Sequence, residues 1–106
     1  MQFDDREKAY EGKFAHDQQS MFKIEARTSK LIGLWAAEKM GLSGADADNY
    51  AKEVIAANLD EPGYDDVKRK LQDDFAARSI TVSAHDIDLI IEKSEIEATK
   101  QVANGQ

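Results

Sequence analysis

The side chains able to donate, accept or coordinate set the first question, and here they are His16, His85 and the acidic pairs Asp4 with Asp5, Asp65 with Asp66 and Asp73 with Asp74. The histidines are far apart in sequence and belong to no metal pattern such as HExxH. A protein metal site needs three or four convergent ligands. Adjacent residues on a helix point about 100° apart, so none of the acidic pairs converges on one proton or one cation by itself. They read as solvated faces and as acids favoured at helix starts. DADN at 46–49 lacks the central glycine and the position-twelve glutamate of a calcium loop. Cysteine is absent, which removes thiolate metal sites and thiol nucleophiles. The glycines are single, so there is no Gly-rich phosphate loop. No nucleophile, base and stabiliser fall together, and we read a protein that is not an enzyme and requires no cofactor or metal.

What remains is the opening stretch, MQFDDREKAYEGKFAHD. Phe3, Tyr10 and Phe14 follow spacings of seven and four and form one narrow aromatic stripe on a helical wheel, with Asp4, Asp5, Arg6, Glu7, Lys8, Glu11 and Lys13 on the other sides. Such a stripe can bury against one surface. Gly12 inside it costs about 1 kcal/mol relative to alanine, so residues 1–14 are expected to form a mobile or partly helical N-terminal arm. Burying three aromatic side chains contributes about 5–9 kcal/mol, while fixing a dozen backbone residues costs about 1–2 kcal/mol apiece. The arm therefore needs a deep groove and charge pairing as well as its aromatics.

The elements that must carry this arm can be placed from pattern. With 106 residues the chain has room for one domain, and 42% hydrophobic with 33% charged residues suits an amphipathic fold. The longest apolar run, LIGLWAA, is far short of a bilayer span, so direct membrane insertion is not expected. The net charge of −7 lies entirely beyond residue 40, because the seven basic and seven acidic residues before it balance. An acidic body repels phosphate backbones and anionic lipid, which leaves nucleic acid out and favours a protein partner.

Residues 4–40 lack proline, and Met21, Ile24, Leu31, Leu34 and Trp35 fall at helical spacings up to Gly41. One helix over that range would be roughly 55 Å long, well beyond the others, so part of it must overhang. Gly33 between Ile32 and Leu34 predicts close helix packing. Ser43 and Ser83 are expected N-caps, and Val67, Leu71 and Phe75 recur every four residues. ITV at 80–82 has no partner run and reads as loop. We expect an all-α, antiparallel four-helix bundle over 15–103, with helices at about 15–40, 44–60, 64–78 and 84–102.

Several segments also carry a likeness. FDDRE at 3–7, KFAHD at 13–17, FKIEAR at 22–27, KLIGLWAA at 30–37, GLSG at 41–44, YAKEVI at 50–55, and EPG with DDV within 61–67 resemble, in order and spacing, the alphaproteobacterial ATPase inhibitor family, the ζ subunit of the F-type ATP synthase. The resemblance runs from Phe3 to about Leu71. It implies a bacterial cytoplasmic protein, peripheral to the membrane-bound enzyme, whose partner is the catalytic head built of α, β and γ subunits. The arm would enter that head at an α/β interface beside the γ shaft and block ATP hydrolysis. Carried onto matching positions, the inhibitory residues would be Phe3, Asp4, Asp5, Arg6, Glu7, Tyr10, Lys13, Phe14 and His16. Thr28 and Ser29 stand where the family usually has a basic residue and asparagine, which implies a weaker electrostatic contact there, and Gly12 where alanine is common. Weak adenine-nucleotide binding is also associated with the family, and the alternative reading is a small regulatory bundle that binds adenine nucleotide with little or no inhibition.

Overall fold

The computed structural model describes residues 18–59 and 63–105. The arm expected over residues 1–14 therefore lies outside the described residues. Four helices follow one another: α1 Gln18–Lys39, α2 Gly44–Leu59, α3 Asp65–Ala77 and α4 Ala84–Ala103, with no strand among the described residues. The all-α bundle expected from the pattern is what forms. Among the described residues no helix is long and apolar enough to cross a membrane.

The helix ends are set by local chemistry. At the end of α1 the Leu42 N–H donates to the Ala37 carbonyl (2.8 Å) and the Gly41 N–H to that of Glu38 (3.0 Å), with Gly41 at φ 79°. This paired closure needs a left-handed residue, which glycine supplies without a Cβ penalty. The end of α3 repeats it, Ile80 N–H donating to Phe75 (2.9 Å) and Ser79 N–H to Ala76 (3.0 Å), but there the residue at φ 58° is Ser79. The Ser83 side chain caps α4 by accepting from the Asp86 N–H (3.0 Å).

Helix α1 is the spine. Its Gly33 meets Ala51 and Val54 of α2, while Arg27 reaches Gln101 near the end of α4 (2.7 Å) and Trp35 and Lys39 border Asp86 and Leu89 near its start. Helix α1 thus runs antiparallel to α4. Tyr50 reaches Asp74 and Glu53 reaches Lys70, so advancing along α2 means retreating along α3, and these two helices are antiparallel as well. The core joins Ile32, Ala36 and Ala37 to Tyr50 and Val54, to Val67, Leu71 and Phe75, and to Ile87 and Ile91. The Trp35 ring stands edge-on to that of Phe75, with centroids 5.9 Å apart.

The innermost face of α1 differs from the expected one. Leu31, Leu34 and Trp35 are only half-buried and Met21 is exposed, whereas Thr28, Ser29, Ile32, Gly33, Ala36 and Ala37 form the buried stripe. A helix pressed from two sides is closest to its neighbours where its side chains are smallest. Gly33 carries this furthest: a Cβ there would lie 2.7 Å from the Ala51 Cα. ITV at 80–82 is loop, as expected, yet Ile80 and Val82 fold down against the core.

Candidate functional site

The candidate arm residues Phe3, Asp4, Asp5, Arg6, Glu7, Tyr10, Lys13, Phe14 and His16 all lie outside the described residues. Helix α1 is described from Gln18 onward. Thr28 and Ser29, expected at an electrostatic contact, are fully buried. The Thr28 hydroxyl donates to the Ile24 carbonyl one turn back (2.6 Å), so these two positions act inside the fold and not on a partner. Around them the interior is polar: Ser29 Oγ and Asn58 Oδ1 have no hydrogen-bond partner among the described residues, and the buried Tyr64 hydroxyl faces Thr28. Burial pushes the Tyr64 hydroxyl above its ordinary range.

Asp4 and Asp5 lie outside the described residues, and of the other two acidic pairs Asp66 and Asp74 take structural roles. Asp66 holds Arg69 across one turn of α3 (2.8 Å). Asp74 accepts from the Tyr50 hydroxyl (2.7 Å) and pairs with Lys70 (3.0 Å), whose ammonium also meets Glu53 (3.1 Å) and lies 5.0 Å from the centre of the Tyr50 ring. Burial, and then the bond to Asp74, raise the Tyr50 hydroxyl far above the usual phenol range. Burial opposes ionisation of Asp74, but the Tyr50 hydroxyl and Lys70 together hold its carboxyl below the usual value. This network pins α3 onto α2. Asp46, Asp48 and Asn49 are on the first turns of α2, His85 is exposed in the first turn of α4, and no metal-holding cluster forms among the described residues.

One feature is invisible to sequence spacing. Along the outer seam of α1 and α2 runs an open groove of about 460 Å³ lined by Phe22, Lys23, Ala26, Arg27, Lys30 and Ile55. It continues into a second hollow that shares Lys30 and Ile55 and adds Lys52. Phe22 is 59% exposed, the largest exposure among the described large apolar side chains. The available signal was an aromatic residue at 22 with lysines at 23 and 30; Lys52 joins them only in three dimensions.

The described four-helix scaffold presents apolar and charged outer faces of the kind a protein partner covers. The sequence model of the family described as ATPase inhibitor subunit zeta matches residues 1–101, and the chain belongs to that family. The match runs into α4 as far as residue 101. Membership gives the chain a regulatory role as an ATPase inhibitor and, with it, association with the ATP synthase. A solved structure titled only as a solution NMR structure of the protein is 36% identical, covering 80% of this chain and 96% of that chain, with a TM-score of 0.70. No curated protein matches the chain.

Proposed function

We propose that this chain inhibits ATP hydrolysis by the F-type ATP synthase by inserting residues 1–14 between an α and a β subunit of the catalytic head, beside the γ shaft, while the bundle stays outside. The observation that carries this reading is the family match, which begins at residue 1 and so takes in the arm together with the bundle. The aromatic stripe of Phe3, Tyr10 and Phe14 supplies the apolar surface a groove would bury, and Arg6, Lys13 and the acids beside it supply the pairing. The bundle's part is to hold the arm at one end of a rigid helix and to keep it attached.

The test is ATP hydrolysis by the purified cognate head with the full chain and with a chain lacking residues 1–14. Inhibition by the first and none by the second is expected. Equal rates with the full chain, the shortened chain and no addition would reject the proposal.

A further inference from the structure

The groove between α1 and α2 has a composition at odds with the rest of the molecule. In a chain of net charge −7, its walls carry Lys23, Lys30 and Lys52 with Asp48 as the acid among them, and its floor is apolar, with Phe22, Ala26 and Ile55. Arg27 is committed elsewhere, donating to Gln101 on α4, and is not counted among these cations. Phe22 at 59% exposure contributes little to the core, and a large aromatic side chain left open beside an apolar partner, Ile55, gains most when something covers both. Lysines around an apolar floor select a surface that is acidic at its rim and apolar at its centre.

Position along the chain says which partner that is. Phe22 follows Phe14 by eight residues, so no conformation of the intervening chain separates them by more than about 29 Å. Wherever the arm is received, this face arrives beside it. We infer that the groove of Phe22, Lys23, Lys30 and Ile55 is a second docking surface, taking an acidic, apolar-centred segment of the same ATPase that receives the arm. This rests on the proposed function and adds to it which face of the bundle the enzyme touches. The chain's own arm fits less well, since its acids are offset by Arg6, Lys8 and Lys13. A nucleic acid or anionic membrane would meet three lysines on a strongly acidic body.

The experiment uses the full chain with Phe22→Ser, with Lys23→Glu and Lys30→Glu together, and with the same two lysines changed to arginine. Lys93→Glu with Lys100→Glu on α4 serves as a control of equal charge change, and circular dichroism confirms that each variant keeps its helix content. Binding to the purified head is measured at two salt concentrations, in parallel with the chain lacking residues 1–14. Charge reversal at 23 and 30 is expected to weaken binding about 10- to 100-fold and to flatten its salt dependence, and Phe22→Ser to weaken it about 10-fold. The arginine pair and the α4 control should stay within about 2-fold of the unaltered chain. The shortened chain should keep residual binding that the 23/30 reversal removes, even if the full chain proves not to inhibit, and this separates the groove from the arm. Unchanged binding in both groove variants overturns the inference, as does failure of the full chain to bind the head at all. So does a groove-dependent dimer in sedimentation, which would make a second copy the occupant, or a shift of the arm's amide resonances on Phe22→Ser in the free chain, which would make it the arm.

Discussion

Gly33→Ala pits two opposed effects against each other at one atom. Replacing a mid-helix glycine by alanine ordinarily stabilises a helix by about 1 kcal/mol. Here the added methyl would sit 2.7 Å from the Ala51 Cα, 3.2 Å from its Cβ and 3.3 Å from the Val54 Cβ. The closest of these is a backbone atom, which cannot rotate away, so relief requires α1 and α2 to separate by about 1 Å, back to ordinary carbon contact. Overpacking of this kind costs about 1–3 kcal/mol, and the upper half of that range applies where backbone must move. Subtracting the propensity gain leaves a net loss of about 1–2 kcal/mol. For a domain of this size that is a fall of roughly 5–10 °C in Tm, or a clear drop in the urea midpoint at constant slope. Ala56→Gly, at an exposed position of α2, calibrates the propensity term and should itself cost about 1 kcal/mol. If Gly33→Ala proves as stable as the original chain or more so, while Ala56→Gly shows its loss, the two helices are not as close as described and the small-residue seam is wrong.

Other substitutions address the helix ends and the polar network. Ser79 occupies the left-handed position at φ 58° that glycine fills at 41, so Ser79→Gly should stabilise by up to about 1 kcal/mol, read as a raised denaturation midpoint; a loss would contradict the closure of α3. Ser83→Ala removes the acceptor for the Asp86 N–H and should cost about 1 kcal/mol, with amide exchange quickening in the first turn of α4. The pH profile follows from the Tyr50–Asp74 pair. Asp74 is held below its ordinary value, so its contribution is present above about pH 4 and is lost as pH falls through the folded value. Tyr50 is raised, so its contribution is full below about pH 10 and declines as pH rises beyond it. Tyr50→Phe should shallow both limbs of a stability profile taken between about pH 2 and 11, and identical limbs in the two proteins would discount the network.

How much of this was legible in the chain depended on whether the informative residue was large or small. Val67, Leu71 and Phe75 announced α3 because big apolar side chains recurring every four residues line one face of a helix and no face of a strand, and all three are buried. Gly41 and Ser83 declared their helix ends through conformational and hydrogen-bonding preferences that operate locally. The seam of α1 declared itself only at Gly33, whose place between Ile32 and Leu34 predicted the close packing against Ala51. Apart from Ile32, its buried face is written in Thr28, Ser29, Ala36 and Ala37, which look neutral or polar to a hydrophobicity pattern, while Leu31 and Leu34 lie to either side. Only knowing that α2 and α4 both press on this helix accounts for the choice. The groove at Phe22 was hidden for a related reason: Lys52 and Ile55 come from another helix, and no spacing rule links them to residue 22. The arm of Phe3, Tyr10 and Phe14 is an expectation from the sequence, and it lies outside the described residues 18–59 and 63–105.

The opening turns of α1 have one more property that matters. From Gln19 to Arg27 every residue is exposed or half-covered, and full enclosure begins only at Thr28. Loosening these turns uncovers no fully enclosed side chain, so it costs less than disturbing the helix below Thr28, but it gives up backbone hydrogen bonds and, at Arg27, the bond to Gln101. The first turn, ahead of Phe22, is therefore where the joint between arm and bundle gives most cheaply, while the groove residues from Phe22 onward and the Arg27–Gln101 tie stay with the helix.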